Sequence, residues 1–485
     1  MSLGAEEKAV STNADLDRVN EYEAADPGLQ NRILRKMDMH TLPLLGLAYF
    51  LSYLDRSNIG NAKKTTIQAD LGISNSQWSW AISVFYFGYV IFEVPANILL
   101  RRWRPSKLIA IMMMLWGASS AAMAGANGPT SLYILRVLNG AFEAGLFPGV
   151  VYYLSLFYLR REQGRRVGAF WSIAAISGAV GGLIAALLTA VDNSSLKEWQ
   201  LLFVVEGVPN LFVAVAIWFL LPDSPEQAKF LDEKERDYVI TRLRADAGAS
   251  HDHSFSWPQV TSVLTDFKTY VYACIYITGT VSLQGVTYFL PSIISGLNSS
   301  FSTFAVQGLT TPAYIIAFLL TITLAYTSDK LKDRAYHMIA INLFGMVGFL
   351  ILMYGTGFGL TYVGAIIVTA SVYANVSIKV AWFSNNYGGL TRRAAASGVI
   401  VSIGTIGGAI GGQIYYDPPT YFHGHTIAIC CVAAQTVLVI GLRAWFVREN
   451  NRRENMTEEE KDALVRGYGS KELAGDRMPE FRYTY

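Results

Sequence analysis

Two pairs of charged residues lie inside long apolar runs. Asp55 and Arg56 are adjacent within 41–61, and Arg136 and Glu143 share the run 131–158 with Asn139. Ionisable side chains at membrane depth are costly, which makes them functional candidates. Arg136, Gly140 and Glu143 are spaced i, i+4, i+7, so one helix face carries all three and Glu143 sits two turns deeper. At a rise of about 1.5 Å per residue, Arg56 lies roughly 22 Å from the start of its span and Arg136 roughly 8 Å below the opposite surface. Two guanidiniums at similar depth, each able to grip a carboxylate with two hydrogen bonds, make an anion clamp. Asp55 and Glu143 are candidates to take up protons, since burial raises a carboxyl pKa and a neighbouring arginine lowers it. The structural alternatives are an interfacial Asp55-Arg56 pair and an Arg136–Glu143 bridge between helices. Glu93 and Lys379, near the inner ends of their spans, read as structural or snorkelling groups.

The elements that position these residues follow from composition. The 485 residues are 52% hydrophobic and only 16% charged, against about 25% charge in soluble domains. A 30 Å hydrocarbon core needs roughly 20 apolar residues per helix. Twelve runs meet that length, near 41–61, 78–100, 107–127, 131–158, 167–190, 201–221, 269–291, 305–327, 336–356, 360–384, 395–415 and 425–447. The fold class is therefore all-α and polytopic, with two six-helix bundles (41–221 and 269–447) joined by the loop 222–268. The tails 1–40 and 448–485 are expected in the cytosol, the first as a disordered segment with no cleavable signal. A net charge of +2 and the lack of a basic block exclude a nucleic-acid surface, and three scattered cysteines give neither a disulfide framework nor a zinc site.

Short loops on one side hold thirteen lysines and arginines, including Arg101, Arg102, Arg160, Lys330 and Arg392, against three on the other. The basic side is expected to face the cytosol. Sequons at Asn193 and Asn298 then fall in external loops. Within 222–268, Ser224-Pro225-Glu226-Gln227 predicts a helix start, and Phe230, Leu231, Tyr238 and Leu243 an apolar stripe lying against the membrane face.

Glycines reveal a repeat. Gly178 and Gly182 in span five, and Gly404, Gly408 and Gly412 in span eleven, keep the four-residue interval of close helix approach. Gly178 to Gly404 is an offset of 226, and Arg101-Arg102 to Asp329-Lys330 one of 228, as two parallel six-helix halves require. An offset of 227 maps Asp55, Arg56, Arg136 and Glu143 onto Ser282, Leu283, Val363 and Ala370. The second half offers neutral groups instead: Tyr276, Gln284 and Tyr288 in span seven, and Tyr373, Asn375 and Trp382 in span ten. Charge recognition and proton coupling are expected in the first half, and hydrogen bonding and stacking in the second.

These residues resemble the major facilitator superfamily, and within it the fungal allantoate-permease branch of the anion:cation symporters. The resemblance rests on Tyr53-Leu54-Asp55-Arg56-Ser57-Asn58-Ile59-Gly60-Asn61-Ala62, on Glu93-Val94-Pro95-Ala96-Asn97 before Arg104-Pro105-Ser106, and on Arg136 to Gly149. It extends to Pro222-Asp223-Ser224-Pro225, Ala374-Asn375 through Trp382, Asn385-Asn386, and Pro479-Glu480-Phe481-Arg482-Tyr483, covering nearly all of 30–485. It implies alternating access and proton-coupled uptake of a small carboxylate such as nicotinate, allantoate, pantothenate or a sugar acid. It also implies that Tyr53, Asp55, Arg56, Tyr89, Arg136 and Glu143 bind substrate and proton. The loop after span two usually carries an acidic residue in the superfamily; here Arg101 occupies that position, while Asp329 keeps it in the second half, so the inner gate is expected to latch asymmetrically. The expected partners are a small organic anion, a proton and the lipid bilayer, and the expected state is a monomer with no cofactor and no metal. The expected place is the plasma membrane. Rivals are an efflux transporter for a secondary metabolite and a nutrient sensor that does not transport; an intramembrane enzyme has no supporting motif.

Overall fold

The computed structural model describes residues 17–189, 195–249, 257–298, 300–388, 390–467 and 475–485. The first sequon residue, Asn193, lies outside them, as do Ser299 of the second sequon and the side chains of Arg101, Arg160, Arg161 and Arg165. Helices α1 (Leu29–Ala62), α2 (Asn75–Arg102), α3 (Pro105–Ala122), α4 (Pro129–Glu143), α5 (Leu146–Phe157), α6 (Arg160–Thr189) and α7 (Glu198–Leu220) form the first half. Helices α8 (Glu233–Ala249) and α9 (Trp257–Leu264) follow. The second half comprises α10 (Phe267–Leu297), α11 (Thr303–Leu331), α12 (Ala335–Tyr354), α13 (Phe358–Asn385), α14 (Leu390–Gly411) and α15 (Phe422–Glu454), trailed by α16 (Glu458–Gly467).

Local chemistry sets the helix starts. Ser74 and Gln77 form a reciprocal capping box at α2, Pro105 and Pro129 occupy the first turns of α3 and α4, and Ser302 and Asp266 cap α11 and α10 with their side chains. Among the described residues nine helical segments are long and apolar enough to cross a membrane, with shorter apolar stretches at Ile173–Leu188 and Ala395–Gly411. The first span is too polar to join them because Asp55, Arg56, Ser57 and Asn58 stand together in it. The starts of α2, α3, α4 and α6 recur at α11, α12, α13 and α14 with offsets of 228 to 230.

The two halves meet through α6 with α11, α14 with α2, and α1 with α10. At the end away from the termini this interface is sealed. Tyr86 and Tyr288 share a hydroxyl hydrogen bond of 2.6 Å, Ser83 donates to the Ala409 carbonyl at 2.7 Å, and Gln307 donates to the Asn61 carbonyl at 3.1 Å. The repeat glycines make the approach possible. A Cβ on Gly182 would lie 2.2 Å from the Thr310 hydroxyl, and one on Gly408 2.2 Å from the Tyr86 ring.

The terminal end departs from expectation in three places. The first tail was expected to be disordered to residue 40, but 17–25 is helical and α1 begins at Leu29. Ion pairs hold it there: Arg18 and Tyr22 both bond Asp237, and Lys36 bonds Glu235 at 2.7 Å. The expected helix at Ser224 is a single 3-10 turn, Pro225–Gln227, without a side-chain cap, and the real helix begins at Glu233. Its Tyr238 is buried against the tail, donating to Glu23 at 2.6 Å. Span four is two helices, broken at Ala144-Gly145, where a Cβ on Gly145 would lie 2.3 Å from the Met112 methyl.

The chain's last residues are strapped beneath the second half. Asp476 is buried between Lys268 and Arg392. Arg453 donates to the carbonyls of Asp476, Met478 and Phe481, and Trp382 and Asn386 both donate to that of Thr484 at 2.9 Å. Lys36 and Arg242 hold Glu235 and Glu162 on the other half. Outside the membrane segments, the cations beside Asp476 hold its carboxyl below the usual range against the opposing effect of burial.

Candidate functional site

The charged residues of the first half converge, with a different pairing from the adjacent pair and the clamp. Arg56 on α1 donates to Glu143 on α4 at 2.5 Å, and Ser52 donates to the same carboxyl oxygen at 2.6 Å. The Arg56 guanidinium lies 5.0–5.3 Å from the rings of Tyr53, Phe85 and Tyr89, an arrangement in which aromatic faces stabilise a partly desolvated cation. Arg136 approaches the same Phe85 ring, at 4.8 Å. It is fully buried, donates from Nε to the Ala81 carbonyl at 3.2 Å, and has no hydrogen-bond partner for either terminal nitrogen. The two arginines therefore share one ring at one depth, but only Arg56 faces the cavity.

Asp55 turns away from Arg56. Successive helix residues project about 100° apart, and Asp55 points into the bundle, accepting from Ser120 at 2.9 Å and from Asn210 at 2.7 Å. The structural alternative of an Asp55-Arg56 pair is not found among the described ion pairs for that reason.

A cavity of about 50 Å³ lies between the halves. Tyr53, Arg56, Tyr89 and Glu143 line its first-half wall, and Tyr276, Gln284 and Lys379 the opposite wall. Lys379 was read as a snorkelling group, yet it is buried and its ammonium sits 4.3 Å from the Tyr276 ring. The second half thus retains one cation at the site. Asn375 is not a lining residue: it donates to Asn342 at 2.7 Å and accepts from Gln435 at 3.4 Å within its own half. Trp382 is taken up by the carboxyl-terminal strap. Asp329 pairs with Arg334, and Arg102 is exposed at the terminal end; neither reaches across to the other half among the contacts described. Arg101's side chain lies outside the described residues.

Two residues that the sequence reading passed over belong to this region. Tyr86, one turn before Tyr89, lines the cavity and bonds Tyr288 across the interface; its i, i+3 spacing from Tyr89 was the available signal. Glu206 on α7 is fully buried, and neither carboxyl oxygen has a hydrogen-bond partner. An acid between Val205 and Gly207 in an apolar span was visible in the sequence.

A pair of helical bundles enclosing a charged, aromatic-walled cavity at their interface is the architecture of a multi-pass membrane transporter. The Major Facilitator Superfamily pattern matches residues 45–412, and the chain belongs to that superfamily. Its members are transporters, not enzymes. An uncharacterized transporter of Schizosaccharomyces pombe is 32% identical over 466 residues, covering 95% of this chain and 96% of that protein. The high-affinity nicotinic acid transporter of Saccharomyces cerevisiae is 30% identical over 485 residues, covering 100% and 90%. A crystal structure of a bacterial homolog of the human lysosomal transporter Spinster shares the fold, with a TM-score of 0.65 at 13% identity over 82% of this chain and 95% of that one.

Proposed function

We propose that the protein carries a small organic anion together with a proton by alternating access. The observation that supports this reading most strongly is the Arg56–Glu143 ion pair on the wall of the cavity between the halves. Removing two charges from water costs several kcal/mol per ion, and the pair holds only while both members stay ionised and in contact. A proton on Glu143 breaks the charge match and releases the Arg56 fork for a substrate carboxylate. Tyr53 and Tyr89 then flank the substrate on one side. Lys379 supplies a second positive charge on the other, with Tyr276 and Gln284 as hydrogen-bonding groups. The halves rock, the far-end seal opens or closes, and proton and anion move together. Arg136 supports the field behind Phe85, and Asp55 works inside the first half.

The likeness to a nicotinic acid transporter makes nicotinate the first substrate to test. The thirteen basic loop residues on the terminal side support cytosolic termini, and carriage on this reading is inward across the plasma membrane. The first test is uptake of labelled nicotinate, allantoate and pantothenate by cells expressing the chain, from pH 4 to pH 8, with Arg56→Ala as control. Uptake rising with acidity and abolished by Arg56→Ala is expected. Uptake that survives collapse of the proton gradient overturns the coupling, and resistance without uptake overturns the direction.

A further inference from the structure

Resting on that reading of proton coupling, we infer that Asp55 and Glu206 form a second, shielded proton site behind α1, separate from the anion cavity. Counting charges leads to it. The buried interior of the first half holds two guanidiniums, Arg56 and Arg136, and four carboxyls, Asp55, Glu93, Glu143 and Glu206; Glu93 accepts from Ser402 of the other half at 3.0 Å. Glu143 is matched by Arg56 at 2.5 Å. Asp55 accepts two hydrogen bonds, from Ser120 and Asn210, and lies within the field of Arg136. Each of these carboxyls has a polar partner. Glu206 closes no hydrogen bond at either oxygen, faces only the Asn58 amide, and among the described residues has no ion-pair partner. A buried carboxylate in that position is prohibitively costly, and the neutral acid is the form the site accommodates.

The surroundings are built around that proton. From α1, Glu206 is faced by Asp55 and by Asn58, whose fully buried amide turns toward it without closing a hydrogen bond and whose oxygen and nitrogen are both unpartnered. Asn210, one turn along α7, ties the Glu206 carbonyl at 3.0 Å to the Asp55 carboxyl. The other packed helices bring no competing charge. The sole ionisable residue of α3, Lys107, caps the Trp218 carbonyl at the terminal end, and α6 carries its charges only in its first two turns. Glu143 and Arg136 act on Asp55 from α4. Because Asp55 and Arg56 are neighbours on α1 that project about 100° apart, a turn of that one helix moves the proton site and the anion site together.

Infrared spectroscopy of the full chain in lipid tests this without a known substrate. At neutral pH the wild type should show the C=O stretching band of a protonated carboxylic acid that Glu206→Gln removes. Asp55→Asn removes the neighbouring carboxyl that opposes ionisation of Glu206, so the same band should titrate away at lower pH. Should Glu206→Gln fail to fold, Glu206→Asp identifies the band by moving its frequency. No protonated band assignable to Glu206, or a titration unmoved by Asp55→Asn, overturns the proposal. A Glu206 band accompanied by uptake indifferent to the proton gradient overturns the symport reading and leaves the carboxyl pair standing.

Discussion

The two halves share a helix plan and place their charges in opposite parts of it. In the first half Asp55, Arg56, Arg136, Glu143 and Glu206 are buried at membrane depth. In the second half the corresponding depth holds amides, hydroxyls and the single cation Lys379, while Asp266, Lys268, Arg392, Arg453 and Asp476 gather at the terminal end under the last residues of the chain. Buried ion pairs are weak contributors to net stability and strong constraints on arrangement, since breaking one leaves a charge without a partner. On the proposed reading, the first half places that constraint where substrate and proton act on it, and the second places it away from the cavity, as a rigid partner against which the first half moves.

The sharpest way to break this comparison is Arg56→Ala. It leaves Glu143 buried without its cation, a loss of about 3–5 kcal/mol when one member of such a pair is removed. Uptake should fall on the order of 100-fold, the rate equivalent of about 2.7 kcal/mol. Adding Glu143→Gln should recover thermal stability and not transport, as read by melting and uptake on the same preparations. Asp476→Asn is the matching test in the second half. Lys268 and Arg392 lose one of the two carboxylates they share and keep Asp266, so melting should show a loss of no more than about 3 kcal/mol while the KM of the folded protein stays unchanged. A large KM shift would remove the distinction between a working half and a rigid one.

A smaller effect separates Lys379 from Asn375. Lys379→Met removes a cation from the cavity wall and should raise KM about tenfold, the equivalent of about 1.4 kcal/mol. Asn375→Ala should cost about 1 kcal/mol of stability through its hydrogen bond to Asn342, with uptake intact. The smallest expected effect is at the far end. Lys197, with help from Thr66 and Trp199, holds the Asp70 carboxyl down to about 2. A depressed carboxyl stabilises the folded state fully above its unfolded value of about 3.9, and that contribution is lost as pH falls toward 2. Lys197→Ala should therefore lower the melting temperature slightly at pH 6 and not at pH 2, because Lys197 is more than half exposed and such pairs contribute under about 1 kcal/mol.

The sequence by itself determined the membrane class, the helical repeat and the identity of the charges worth following, because hydrophobic length and the cost of an ionisable group in lipid are properties of the chain. Depth along a helix was also legible, since rise per residue is fixed: Arg56 and Arg136 both reach the Phe85 ring. Tertiary structure alone decided who pairs with whom. Rotation about each helix axis is set by packing against neighbours, so Asp55 met Asn210 and not Arg56, Asn375 was absorbed by Asn342, and Lys379 was enclosed when a span-end lysine was expected to reach water. The ordered tails were beyond local reading for the same reason, because Tyr22 meets Asp237, and Lys268 meets Asp476, across more than two hundred residues of chain.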